Sequence, residues 1–245
     1  GQRNKISTAY DKNKTVSFAY AENKDLNTTT AKEFKIFNGW LVADKLVVTG
    51  KIHSVEWWRG DSRPYAVKKS APHITRFVPG YKGTGYTDII DSVVTWLKMN
   101  KYAALEHNYG LWYDRRRDDH QRTCRMDGNV WLPFYELPFA RSGQGTAWDG
   151  LSKYDLTKYN PWYWSRLKSF ADQAGNQGLL LLHQNYFQHN ILEAGAHWAD
   201  FPWRTINNIN NTGFPEPPFY AGGKRIFMAG QFYDINQPVR KELHR

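Results

Sequence analysis

Cysteine is almost absent from this chain. Its 245 residues include one cysteine, Cys124, so no disulfide can form within the chain. Cys124 lies among charged residues without a clear His–Asp arrangement, which makes it a bystander rather than a nucleophile. The chain also begins at Gly1, with no initiator methionine and no signal peptide. Such a start is typical of a mature or trimmed chain, so these absences do not argue against export.

Long apolar runs and a nucleotide-binding glycine motif are also missing. No apolar run approaches the roughly 20 residues that span a bilayer, so we expect no membrane span. No G-x-G-x-x-G follows a predicted strand, because the stretch Gly83-Thr84-Gly85 lacks the third glycine. The sequence therefore disfavours a dinucleotide-binding protein.

Positive charge is in excess, but it is spread along the chain. The formal net charge is +10, and the one dense basic cluster, residues 115–117, is followed at once by Asp118 and Asp119. A run with both signs is more typical of internal ion pairs than of a phosphate-binding track. We therefore expect no nucleic-acid partner, whereas an acidic polysaccharide is compatible with the charge.

Aromatic residues are plentiful. They make up 16% of the chain, with 11 Trp, 15 Tyr and 13 Phe, and many fall in polar stretches that contain Gly and Pro. Aromatic rings in loops often stack on flat ligands such as sugars and nucleobases. Trp112 and Trp148 are our candidates for stacking on sugar, although any single ring could equally be loop core.

The chain divides into two predicted regions. Residues 1–72 form a polar leader and a β-rich segment, in which Asn38-Gly39 predicts a hairpin within an antiparallel meander over residues 34–58. Residues 73–245 alternate strands and helices. Strands are predicted at 73–78, 102–105 and 179–182, and helices begin at Thr87, at Asn160-Pro161 and at Pro238. This alternation is typical of a parallel sheet with right-handed crossovers.

Two of these strands end in similar polar residues. Glu106-His107-Asn108 follows the strand at 102–105, and His183-Gln184-Asn185 follows the strand at 179–182. Functional side chains collect at the carboxyl ends of parallel strands. We therefore predict that the two tips lie side by side and form the rim of a pocket.

At these residues the sequence resembles bacterial (β/α)8-barrel glycoside hydrolases, in particular a group of polysaccharide-degrading proteins from gut Bacteroidetes. The resembling segments are EHNYGLWYDRRRDDH from Glu106, PFARSGQGTAWDGLSKYDLTKYN from Pro138 and HQNYFQHNILEAGAHWADFPWR from His183. The resemblance implies an α/β fold, with the antiparallel β-rich segment followed by the first part of a TIM-like barrel. Only three strand–helix units precede Arg245, so we expect the rest of the barrel, with the remaining catalytic carboxylate, beyond that residue.

The predicted function is hydrolysis of a complex polysaccharide, uronic-acid polymers included, in the periplasm or at the cell surface. Glycoside hydrolysis needs carboxylates facing the sugar, and Glu106 is the predicted catalytic one. We predict neither a cofactor nor a metal ion. The predicted substrate-binding residues are His107, Asn108, Trp112, Asp114, Arg116, Trp148, Asp149, His183, Gln184 and Asn185.

Three alternatives stay open at the level of sequence. Glu106 could pair with an arginine of residues 115–117 and merely hold the loop. The protein could bind carbohydrate without cleaving it. A metal-dependent hydrolase is the third alternative, since His189, Glu193 and His197 recur every four residues and would share one face of a helix.

Overall fold

The computed structural model describes residues 32–54, 71–108, 134–185, 191, 198, 201–216 and 226–245. The first element is a three-stranded antiparallel sheet of β1 (Phe34–Phe37), β2 (Trp40–Ala43) and β3 (Leu46–Val47). Asn38 and Gly39 connect β1 and β2 with φ angles of 48° and 82°. A two-residue type I′ turn needs positive φ at both positions, so the predicted hairpin is confirmed.

A second sheet contains three parallel strands in the order β10-β6-β4. These strands are β4 (Lys51–Ser54), β6 (Tyr102–Asn108) and β10 (Leu180–Gln184). His183 of β10 is in register with His107 of β6. The prediction that the two polar tips lie side by side on parallel strands is thus confirmed. Their carboxyl ends share one edge of this sheet, which we call the carboxyl edge.

Two helices pack against the parallel sheet. Helix α1 (Ile90–Met99) buries an apolar stripe at three- and four-residue spacing, and α2 (Pro161–Asn176) buries a similar one. Asn160 caps α2, since its side-chain oxygen accepts hydrogen bonds from the backbone N–H groups of Trp162 and Tyr163. The two stripes meet the sheet in one core, which includes Val93, Leu97, Leu105, Leu167 and Phe170.

The remaining described elements are short. Strand β5 (Arg76–Phe77) pairs antiparallel with β7 (Phe134–Tyr135), and β8 (Phe139–Arg141) pairs antiparallel with β9 (Tyr154–Tyr159). A 3-10 turn at Thr205–Asn207 and the helices α3 (Ile226–Phe232) and α4 (Pro238–His244) complete the chain. No helix in the described ranges is long and apolar enough to cross a membrane.

The predicted fold class, an antiparallel segment followed by the first part of a TIM-like barrel, is wrong. Within the described ranges the parallel sheet has three strands and does not close, and the other strands form separate antiparallel sheets. The predicted strand at 73–78 contains only the two residues of β5, which pair antiparallel outside the parallel sheet. The structure therefore supports a mixed α/β fold and nothing more specific.

Three local predictions also need correction. Strand β4 belongs to the parallel sheet, not to an antiparallel meander over residues 34–58. Thr87 does not cap α1, because its hydroxyl bonds to the backbone of Val78 and the helix begins three residues later. The region between the predicted strand at 102–105 and the predicted helix start at Asn160, where no strand is predicted, contains β7, β8 and β9.

Candidate active site

Glu106 lies at the carboxyl edge of the central parallel strand, β6. It is directly in register with Ser54 of β4, and Gln184 of β10 lies two residues beyond Leu182, the residue in register with Glu106 on that strand. The Ser54 hydroxyl donates a hydrogen bond to Glu106 Oε2, and the Gln184 amide donates one to Glu106 Oε1. Side chains two residues apart on a strand share a face, which is why all three meet. Both carboxylate oxygens are therefore held by neutral donors.

The Glu106 carboxylate is partly exposed and forms no salt bridge with any residue in the described ranges. The arginines of residues 115–117, which could have paired with it, lie outside those ranges. Hydrogen bonds from two neutral donors orient a carboxylate without cancelling its charge. The group remains able to act as a base or a nucleophile.

On the opposite, helix-facing side of the same strands lies a cluster of histidines. The rings of His107 and His183 are stacked with centroids 5.6 Å apart, because the two residues are in register on neighbouring strands. His107 is 1% exposed, and its Nε2 lies 3.1 Å from the Tyr163 hydroxyl near the start of α2. His107 Nδ1 has no hydrogen-bond partner among the described residues.

His73 extends this cluster from the segment before β5. Its ring meets the His107 ring edge to face at 5.4 Å, and its Nδ1 accepts a hydrogen bond of 3.1 Å from the Thr75 backbone. Its own backbone N–H donates to Asp88, whose carboxylate pairs with Arg76 at 2.6 Å. The segment is therefore anchored by a buried ion pair directly beside the histidines.

Burial dominates the protonation of the cluster. It lowers the pKa of His107 to about 3, with a further contribution from His183. It also lowers the pKa of His73 well below its ordinary value, assisted by His107 and Arg76, and it lowers that of His183. Burial raises the pKa of Tyr163 well above its ordinary value. At neutral pH the cluster is thus uncharged, because a charged imidazole would lose its hydration there.

The profile of one family, the domain of unknown function DUF6298, matches residues 1–245 of the chain. The chain belongs to the DUF6298 family. No curated protein and no solved structure matches it.

In this DUF6298 chain some predicted site residues lie at the carboxyl edge, two lie between β8 and β9, and the others lie outside the described ranges. The carboxyl edge brings Glu106 and Gln184 together, and it places His107 beside His183 on the other side of the strands. Asn108 ends β6 in register with Gln184, and Asn185 is exposed immediately after β10. Trp112, Asp114 and Arg116 lie outside the described ranges, as do His189, Glu193 and His197 of the proposed metal set.

Trp148 and Asp149 make their contacts elsewhere. Asp149 is buried, and its carboxylate forms a two-point ion pair with Arg141 of β8 and accepts from the Leu151 backbone. The Trp148 backbone donates to Asn207, and the Arg204 guanidinium lies 5.0 Å from the centre of its ring. These contacts hold the connection between β8 and β9 in place, so the structure gives Trp148 and Asp149 a role in stabilising that connection.

Sequence reasoning missed Ser54, and it missed His73 and Tyr163, which contact His107. Ser54 lies in Lys51-Ile52-His53-Ser54, a run too short to be recognised as a strand. His73 and Tyr163 lie near the starts of predicted elements, where a polar residue carries no distinctive signal. Within the described ranges, no group of three or more His, Cys, Asp or Glu side chains is arranged to hold a metal ion.

A cavity of about 460 Å³ lies at the end of the parallel sheet opposite the carboxyl edge, where the strands begin. Tyr102, Ala103 and Leu179 line it at the strand starts, and Lys32, Lys45 and Lys98 contribute positive charge. Glu106 is not among its lining residues. The cavity is therefore separate from the carboxyl edge.

Proposed function

We propose that the chain is a glycoside hydrolase that acts on a complex polysaccharide, with Glu106 as a catalytic carboxylate at the carboxyl edge. The observation that supports this proposal is the partly exposed Glu106 carboxylate, held on both oxygens by the neutral donors Ser54 and Gln184.

The hydrogen bonds favour one of the two carboxyl roles. Glycoside hydrolysis uses a protonated acid for the leaving-group oxygen and an ionised carboxylate as nucleophile or base. The Ser54 and Gln184 donors orient both Glu106 oxygens as acceptors, so Glu106 is assigned the second role. As nucleophile, it attacks the anomeric carbon while the glycosidic C–O bond breaks. As base, it takes the proton of an attacking water molecule.

The experiment compares Glu106→Gln with the unaltered chain on a panel of polysaccharides, uronic-acid polymers included. We expect turnover to fall by about 10²-fold or more, because an amide cannot replace a general base or nucleophile. Glu242→Gln is the matched control, since Glu242 is an exposed glutamate on α4 that pairs with Arg245. Unchanged turnover in Glu106→Gln would remove Glu106 from the mechanism.

A second candidate function is carbohydrate binding without cleavage. Tyr159 and Trp164 favour it, because they lie edge to face, 61% and 37% exposed, and the Trp164 ring is 6.0 Å from His183. Such rings can stack on a sugar without a catalytic pair. Binding with no release of reducing ends across the panel would support this candidate over the hydrolase.

A further inference from the structure

The antiparallel sheet at the start of the described chain carries an exposed aromatic pair. Phe37 and Trp40 are directly opposite each other on β1 and β2, and they are 63% and 64% exposed. Directly opposed residues project from the same face of a sheet. The two-residue turn of Asn38 and Gly39 joins them, so both residues lie at the tip of a tight hairpin.

The same face carries a cation. Lys35 is two residues before Phe37 on β1 and therefore projects from the same face. Its side chain is 42% exposed, and its ammonium group lies 3.3 Å from the Glu33 carboxylate in a solvent-exposed pair. Such a pair holds the lysine weakly. The lysine can therefore meet a carboxylate of a ligand, in keeping with the chain's net charge of +10.

We propose that Phe37, Trp40 and Lys35 form a binding platform for an acidic polysaccharide, separate from the carboxyl edge that holds Glu106. The two rings stack on successive sugar units, and Lys35 pairs with a uronate carboxylate. Exposed aromatic rings bury large apolar area on binding at little cost in conformational entropy. The ligand class rests on the proposed action on polysaccharides, whereas the location rests on the geometry of the hairpin.

The opposite face of the same sheet provides a matched control. Ile36 is 69% exposed but lies between Lys35 and Phe37 in the chain, so its side chain projects from the other face. If any exposed apolar side chain of this sheet promoted binding, removal of Ile36 and removal of Trp40 would weaken binding equally. If binding uses one face only, removal of Trp40 weakens it and removal of Ile36 does not.

The test measures binding of polygalacturonate, with neutral dextran as comparison, to the whole chain by affinity electrophoresis and calorimetry. We expect Trp40→Ala to weaken polygalacturonate binding about tenfold, Trp40→Phe to retain most of it and Ile36→Ala to leave it unchanged. Lys35→Gln is expected to weaken polygalacturonate binding and to reduce its salt dependence. Glu242→Gln is expected to bind as the unaltered chain does, and release of reducing ends is scored separately, so binding is tested apart from cleavage.

Three results would overturn the platform. These are no polygalacturonate binding by the unaltered chain, equal losses in Trp40→Ala and Ile36→Ala, and unchanged binding in Trp40→Ala. A dimer that dissociates on Trp40→Ala in sedimentation, without a change in polygalacturonate binding, would assign the hairpin to a second copy of the chain instead. Thermal unfolding of each variant shows whether a loss of binding reflects a loss of fold.

Discussion

At the scale of single residues, Glu106 depends on two side chains from neighbouring strands. Ser54 and Gln184 each donate to a different carboxylate oxygen, so either one alone leaves the carboxylate freer to rotate. Neither residue is predicted to touch the reacting carbon, which makes both positioning residues. Small displacements of a catalytic group reduce rate more than they reduce binding.

We predict that Ser54→Ala and Gln184→Ala each lower kcat by about tenfold while KM changes little. The reason is that each substitution removes one donor that orients the carboxylate. We assign this role to Gln184 in place of the direct substrate contact predicted from the sequence. Steady-state kinetics on the best polysaccharide of the panel measures this split. Gln177→Ala is the control, since Gln177 caps the far end of α2 and bonds to Lys98. A rise in KM with unchanged kcat would show that the two residues bind substrate instead.

At the scale of elements, the start of α2 links the helix to the strands around it. The Asn160 side chain accepts from the first turn of α2, and its amide donates to the Leu137 carbonyl and to Glu136 at 3.0 Å. One turn into the helix, Tyr163 meets His107 of β6. The cap therefore fixes both the helix start and a contact behind the site.

We predict that Asn160→Ala lowers the free energy of unfolding by about 1–2 kcal/mol, because it removes the cap and leaves the Leu137 carbonyl without that donor. Urea denaturation monitored by circular dichroism measures the change. Ser165→Ala is the matched control within α2, because the Ser165 hydroxyl is exposed and bonds only back to the Trp162 carbonyl. Its effect is expected to stay below about 0.5 kcal/mol. Equal effects of the two substitutions would contradict the capping assignment.

At the scale of the whole molecule, the histidine cluster makes stability depend on pH. His107 has a pKa of about 3 in the folded chain and an ordinary value of 6.5 when unfolded. Between these values the unfolded chain binds a proton that the folded chain does not, so stability is complete above pH 6.5 and falls as the pH drops toward 3. His73 and His183 act in the same direction, since their pKa values are also lowered.

We predict that the unaltered chain loses about 1.6 kcal/mol of stability for His107 alone between pH 6.5 and pH 5, with more from His73. Urea denaturation across this pH range measures the loss. His107→Gln is expected to reduce the slope of the unfolding free energy against pH, since up to one proton fewer is taken up on unfolding. It also lowers stability at pH 7.5 by disturbing the contact with Tyr163. The same slope in both proteins would show that His107 is not buried uncharged.

The sequence by itself determined features that depend on neighbouring residues. Asn38-Gly39 supplies the positive φ angles of a tight hairpin, and Asn160-Pro161 supplies a cap and a fixed φ for the start of α2. The two apolar runs that end near residues 106 and 183 were sufficient to predict adjacent parallel strands. The turn and the helix start rest on local backbone preferences, which short stretches specify, whereas the strand adjacency follows from the strand–helix alternation between the two runs.

Only the tertiary structure decided which distant residues meet. Ser54 and Gln184 lie 52 and 78 residues from Glu106, and nothing near either residue specifies that partner. Strand β4 joined the parallel sheet although hairpin signals lie just before it, and β5 paired antiparallel away from that sheet. Strand pairing and register are set by which faces can be buried together, and this depends on the packing of α1 and α2.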